Sequence, residues 1–256
     1  MTIDILLTQP VPDLIDARLQ QSYTLHRLYE AADQEAFLNR IGERIRGVVT
    51  GGAKGLSNSL MNRLSVLQII AISGIGTDAV DLVNAAARGV PLPPTPGVLT
   101  DAVADMAMGL VIMSLRHRGP RHRIVRAAEG GALEQPVVRK VTGIELGIVG
   151  LGRVGHAIAR RALAFNMSVN YTDLREQPES GYRFVPDLID LARRCDVLIL
   201  AASADQGSAI ITPAVLQALG ANGYLINVAR GKLVDEPALI EALSNGTIAG
   251  AGLDVF

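Results

Sequence analysis

Near the middle of the chain, Gly150-Leu151-Gly152-Arg153-Val154-Gly155 carries glycine at the spacing G-x-G-x-x-G. In such a turn each glycine has its own task. The first permits a sharp bend, the second lets backbone approach a pyrophosphate, and the third lets a helix pack close on a strand. Arg153 and Val154 would open that helix, and the free N–H groups of a helix N-terminus attract a diphosphate. In a chain with 26 glycines the pattern alone is weak. Its setting strengthens it: the apolar run Leu146–Val149 reads as a strand directly before it, and Val154–Phe165 as a helix directly after. Asp173 ends the next strand-like run, about 20 residues on, where a carboxylate can accept hydrogen bonds from both hydroxyls of an adenosine ribose.

Other residues have chemistry to offer with less context. Arg230 follows the apolar run Tyr224–Val228, at the carboxyl end of a strand. A guanidinium fork there matches a carboxylate and a neighbouring ketone oxygen, although an arginine in isolation reads first as a surface or capping residue. Gly74-Ile75-Gly76 fits an anion-holding nest of backbone N–H groups and fits a plain turn equally well. Lys54, in Gly-Gly-Ala-Lys-Gly, reads as solvated. Asp254 closes the strand-like run Ile248–Asp254; a carboxylate at the end of a buried strand needs a hydrogen-bond partner, which a ligand can supply. Arg116, His117, Arg118, Arg121, His122, Arg123 and Arg126 form a basic cluster without interleaved aromatics, read as a solvated helix end or a subunit contact. Cys195 reads as a small buried hydrophobe.

The elements that would carry these residues alternate. Strand-like runs Ile3–Thr8, Tyr23–Tyr29, Gly47–Thr50 and Leu67–Ile72 are interleaved with helix-like Val11–Gln20, Gln34–Ile41 and Ser57–Leu64, the last opening on a serine cap. Pro-Leu-Pro-Pro-Thr-Pro-Gly at 91–97 cannot continue a helix or a central strand and is expected to be a linker. Thr100–Arg118 reads as one long helix, apolar on nearly every face, which predicts burial between layers or at a subunit interface. From Ile144 the alternation resumes, with strands at Leu146–Val149, Ser168–Thr172, Val197–Ala201, Tyr224–Val228 and Ile248–Asp254. Helices are expected at Val154–Phe165, Pro186–Ala192, Pro213–Leu219 and Pro237–Ser244. Strands this apolar, bracketed by helices, predict an α/β fold of parallel sheets covered on both faces.

Composition narrows the function classes. The chain has 256 residues, 49% of them hydrophobic, enough for two packed domains. With 24 basic and 25 acidic side chains the net charge is -1, which offers no electrostatic footprint for nucleic acid or an anionic membrane. One cysteine excludes a disulfide framework and fits a reducing compartment. No secretory signal and no bilayer-length apolar run is read, so a soluble, cytoplasmic protein is expected.

Four motifs then occur in order: Thr95-Pro96-Gly97-Val98-Leu99-Thr100 before the long helix, Gly150–Gly155, Asn227-Val228-Ala229-Arg230-Gly231, and Ala249-Gly250-Ala251-Gly252-Leu253-Asp254-Val255-Phe256. Together they resemble the D-isomer-specific 2-hydroxyacid dehydrogenases, and most of all their glyoxylate/hydroxypyruvate reductase branch. The resemblance implies two Rossmann-like or flavodoxin-like domains: residues 1–95 binding substrate, and 96–256, with the long helix 100–118, binding NAD. It implies a small 2-oxo or 2-hydroxy acid as substrate and a homodimer built on the long helix. Arg230 becomes the catalytic and substrate-binding arginine, and Ile75 and Gly76 hold the substrate carboxylate. Gly150, Gly152, Arg153, Val154, Gly155, Asp173, Val228 and Asp254 contact the cofactor, Asp254 near the nicotinamide carboxamide. No metal is implied. Asp173 would face a 2′-phosphate with like charge, so NAD is expected over NADP; Leu174 agrees, whereas Arg175 argues the other way.

Family members transfer a proton with a histidine paired to a glutamate, both lying beyond the position that matches Phe256. The four histidines here, His26, His117, His122 and His156, occupy none of those positions. The expectation is therefore that residues 1–256 alone bind dinucleotide but turn over poorly, with a non-catalytic nucleotide-binding remnant or sensor as the alternative.

Overall fold

The computed structural model describes residues 2–52, 54–74, 76–77, 79–93, 97–117, 138–203 and 208–256. The chain divides into two compact units, Met1–Leu99 and Thr100–Phe256. Of the residues singled out above, Ile75, Thr95, Pro96, Arg118, Arg121, His122, Arg123 and Arg126 lie outside the described residues.

In the first unit, β1 (Ile3–Leu7), β2 (Tyr23–Arg27), β3 (Ile45–Gly51) and β4 (Ile69–Ser73) form a parallel sheet in the order β2-β1-β3-β4. Four α-helices are described: α1 (Asp13–Gln20), α2 (Gln34–Ile41), α3 (Asn58–Arg63) and α4 (Leu82–Ala87). Side-chain caps set three of the starts. Asp33 accepts from Ala36 N, Ser57 from Leu60 N and Asp81 from Asn84 N, each satisfying an N–H that a helix leaves without an internal partner. Leu6, Ile45, Val48 and Ile70 from the strands meet Leu38 and Ile41 of α2 and Met61 of α3 in one core.

The second unit opens with α5 (Thr100–Leu115), shorter than expected because its last turn gives way to a turn at Arg116 and His117. It then alternates β5 (Glu145–Val149), α6 (Arg153–Leu163), β6 (Ser168–Thr172), β7 (Arg183–Phe184), α7 (Leu188–Arg194), β8 (Val197–Leu200), α8 (Pro213–Leu219), β9 (Tyr224–Asn227), α9 (Glu236–Ser244) and β10 (Gly250–Leu253). The sheet order is β10-β9-β8-β5-β6-β7, every pair parallel. Numbered from β5, that is the 3-2-1-4-5-6 order of a doubly wound dinucleotide fold, with its reversal between β5 and β8. Cores form on both faces, one with α5 and α6 and the other with α7, α8 and α9. Strands β8 and β9 are buried at every residue, as expected for central parallel strands.

Helix α5 buries one stripe, Ala104, Ala107, Met108, Val111 and Leu115, at helical spacing, while Met106 and Met113 are 46% and 50% exposed. One expectation is corrected here: the reading of Asp254 as the end of a buried strand fails. Strand β10 is an edge strand, only Gly252 in it is buried, and Asp254 is exposed, so solvent can satisfy its carboxylate.

Candidate functional site

Because the second sheet is wholly parallel, the carboxyl ends of its strands share one edge. Thr172, Val149, Leu200, Asn227 and Leu253 stand in register across β6, β5, β8, β9 and β10. One residue beyond that row come Asp173, Gly150, Ala201, Val228 and Asp254. Backbone bonds hold this second row as well, from Gly150 N to Thr172 O, Ala201 N to Val149 O, Val228 N to Leu200 O and Asp254 N to Asn227 O. Residues far apart in sequence are thus aligned where open α/β sheets bind ligands.

The three glycines of the turn are required for three different reasons. Gly150 has φ +91°, and a Cβ there would stand 2.6 Å from Ala202 Cα, where the chain leaving β8 crosses it. A Cβ on buried Gly155 would overlap the Gly150 carbonyl oxygen, so the first turn of α6 lies against the turn that precedes it. A Cβ on exposed Gly152 would meet nothing within 4 Å. Gly152 is also the N-cap of α6, and no side chain caps the helix. The uncapped end and the open backbone beside it fit the diphosphate of a dinucleotide. Arg153 is exposed and Val154 half-buried at the same end. His156 turns its ring back so that Nδ1 donates to Gly152 O at 3.0 Å, and its own N–H donates to the same oxygen at 2.9 Å.

Asp173 is half-buried and joined to this turn. Its Oδ2 accepts from Leu151 N at 2.8 Å and its Oδ1 from Leu174 N at 2.7 Å. Oδ1 keeps acceptor capacity for a ribose hydroxyl. Sequence reasoning passed over Gln177, whose side chain also reaches Asp173; an exposed polar loop gives no periodic signal to find it.

Arg230 is positioned by Asn227, which is 1% exposed at the end of β9. Asn227 Oδ1 accepts from Ala229 N at 3.0 Å, and its Nδ2 donates to Arg230 O at 2.9 Å, forming a side-chain-stabilised turn. The half-buried Arg230 donates through Nη1 to Ala229 O at 2.6 Å. Val228 is buried between Asn227 and that turn.

In the first unit, buried Gly76 comes close to the turn after β3: a Cβ on Gly52 would be 2.9 Å from Gly76 O. Gln9, just past β1, lays its side chain in the space that a side chain on Gly51 would need. Gly74 has φ +140°, and Lys54 is exposed. His26 serves elsewhere, donating to Asp4 Oδ1 at 2.6 Å. Burial and the adjacent Asp196 push the Cys195 thiol up to about 12, which leaves it protonated and unreactive. Among the described residues no three His, Cys, Asp or Glu side chains gather to hold a metal ion, and no helix is long and apolar enough to cross a membrane.

Residues 108–256 match the family described as D-isomer specific 2-hydroxyacid dehydrogenase, NAD binding domain. A 2-ketogluconate reductase of Gluconobacter oxydans is 42% identical over 254 residues, spanning 99% of this chain and 81% of the relative. Glyoxylate/hydroxypyruvate reductase A of Arabidopsis thaliana is 36% identical over 256 residues, 100% of this chain and 82% of the relative. Among solved structures, an NADPH-dependent glyoxylate/hydroxypyruvate reductase from Sinorhizobium meliloti in complex with NADP and malonate superposes with a TM-score of 0.89 at 38% identity. That match covers 100% of this chain and 80% of the other.

Proposed function

The chain belongs to the D-isomer-specific 2-hydroxyacid dehydrogenases, and from that membership we propose that it reduces a small 2-oxo acid of the glyoxylate or hydroxypyruvate kind to the D-2-hydroxy acid with NADH. An oxidoreductase dependent on NAD or NADP is what the family and its reductase members support, in preference to a non-catalytic remnant or sensor. The observation that carries the reading is the turn Gly150–Gly155 at the reversal of a 3-2-1-4-5-6 sheet, with an open Gly152 and an uncapped helix behind it.

When bound, the nicotinamide supplies the hydride. The chain's own residues bind and orient. The N–H groups at the start of α6, from Arg153, Val154 and Gly155, take the diphosphate. Asp173 accepts the ribose hydroxyls, Val228 gives an apolar contact, and Asp254 stands at the carboxyl end of β10 for the carboxamide. Arg230 pairs with the substrate carboxylate and polarises the ketone oxygen as negative charge develops on it. The choice of NAD rests on Asp173, whose charge opposes a 2′-phosphate, although the Sinorhizobium relative carries NADP. Cytoplasmic location fits the single buried cysteine. A homodimer through the outer face of α5 fits the exposure of Met106 and Met113, and sedimentation velocity tests it.

The test of function is titration with NADH and NADPH by fluorescence, followed by NADH oxidation with a panel of 2-oxo acids, both on the complete reading frame. NADH should bind more tightly, and glyoxylate or hydroxypyruvate should drive oxidation. Tighter NADPH binding overturns the cofactor reading. Tight NADH binding without oxidation by any 2-oxo acid favours the non-catalytic module.

A further inference from the structure

The loop after β6 is braced by a residue that no motif names. Gln177 Nε2 donates to Leu151 O at 3.1 Å and to Asp173 Oδ2 at 3.3 Å. The backbone N of Gln177 donates to the Tyr171 hydroxyl at 2.7 Å. Tyr171 is fully buried in β6 and its ring lies 5.3 Å from that of Phe184, so the hydroxyl is a fixed point of the core. Gln177 is thereby anchored through its main chain, and its side-chain amide spends both hydrogens on a bridge between Asp173 and the glycine turn.

The bridge limits what Asp173 can do. Oδ2 accepts from both Leu151 N and Gln177 Nε2, while Oδ1 accepts from Leu174 N. Donors on both oxygens stop the carboxylate from rotating toward solvent. A fixed carboxylate meets a ribose hydroxyl through the remaining site on Oδ1 without first losing rotational freedom, which is the gain of preorganisation. It also cannot turn away from a 2′-phosphate. The side chains of Leu174 and Arg175 are exposed.

We infer that Gln177 is a positioning residue for cofactor choice: by tying Asp173 to the turn Gly150–Gly155 it makes that carboxylate accept a free 2′-hydroxyl and reject a 2′-phosphate. The inference rests on the reading above that a dinucleotide lies on this turn. A side chain of the same length without donors should release Asp173 while leaving the fold in place.

The experiment compares Gln177→Met, Asp173→Asn and the double variant with the unaltered protein. NADH and NADPH dissociation constants are read by fluorescence, and melting temperature is read alongside. Gln177→Met should weaken NADH about tenfold, the weight of a hydrogen bond to a charged group, and NADPH much less, so that the preference ratio falls. With Asp173 already replaced, Gln177→Met should leave the ratio where it was. Tyr171→Phe, which removes only the acceptor for Gln177 N, should shift the ratio the same way by a smaller factor, and it serves if Gln177→Met fails to fold. Equal weakening of both dinucleotides, or a lower melting temperature with an unchanged ratio, overturns the inference and makes Gln177 a structural brace. If the unaltered protein binds neither dinucleotide, the reading of the turn itself fails, a result visible before any variant is made.

Discussion

A Cβ on Gly52 in the first unit would stand 2.9 Å from the Gly76 carbonyl oxygen, whereas a Cβ on Gly152 in the second would meet nothing within 4 Å. Both glycines sit in turns that follow parallel strands. In the first unit the missing side chain lets two stretches of the protein's own backbone meet. In the second, Gly150 and Gly155 do that work against Ala202 and against each other, and Gly152 is left facing open space. The helices that follow these glycine turns differ as well, although α1 in the first unit also starts without a side-chain cap. Ser57 and Asp81 cap α3 and α4 and occupy their N-terminal donors, while α6 begins at Gly152 without a side-chain cap. Glycine frequency therefore does not mark a ligand site. A glycine with nothing above it, beside helix donors that nothing else has taken, does.

The largest effect should come from outside both turns. Arg230→Ala should weaken an oxamate-like 2-oxo acid analogue by about 2–5 kcal/mol, as for truncating one member of a buried charged pair, and leave NADH affinity unchanged in a fluorescence titration. A parallel loss of NADH affinity would show that Arg230 belongs to the nucleotide turn after all.

Next come the two kinds of glycine within one turn. Gly155→Ala must displace a main-chain oxygen, and should cost about 1–3 kcal/mol in denaturant unfolding together with most NADH binding. Gly152→Ala should leave unfolding nearly unchanged while still weakening NADH, because its methyl occupies only the approach of the ligand. If both variants lost stability equally, the distinction between packing and open glycines would collapse.

In the first unit, Gly52→Ala presses on the Gly76 backbone and should cost about 1 kcal/mol of stability, the ordinary size of a point-mutation effect. Analogue binding should weaken and NADH binding should not, with both titrated on the same preparation.

The smallest effect concerns acid. The hydrogen bond from His26, joined by the charge of Arg44 and opposed by burial, holds the Asp4 carboxyl below the usual carboxylate range. A lowered folded-state value means that the contribution is present above the unfolded value of about 3.9 and is lost as pH falls through the folded value. The melting-temperature difference between the unaltered protein and Asp4→Asn should therefore hold from neutrality down to about pH 4 and shrink below it. A difference that does not shrink below about pH 4 would contradict the pairing.

Much of this architecture was legible from local pattern. Helices Gln34–Ile41 and Pro213–Leu219 and strand Ser168–Thr172 were read at their observed bounds, because apolar period, caps and prolines act within a few residues. Helix α4 was missed: its six residues form barely more than a turn, started by Asp81. Strand β7 was missed because its two residues are a strand only by pairing with Asn170 and Tyr171. In the candidate site, the glycine turn and Asp173 are legible from residue type and spacing, and Arg230 from the family resemblance. Gln177 and Gln9 are not, since a glutamine in a loop has no period and its partners come from other segments.

By itself, the sequence determined the alternation of strands and helices, the turn Gly150–Gly155 between β5 and α6, and the acid at the end of β6, all set by short-range sterics and hydrogen bonding. Only the tertiary structure decided which glycine faces open space, that Asp173, Gly150, Val228 and Asp254 stand in one row, that α5 buries a single stripe, and that Gln177 joins Asp173 to the turn. Each of these depends on how strands pair and layers pack over long sequence separations, and no local pattern of residues encodes a contact with a segment that it does not contain.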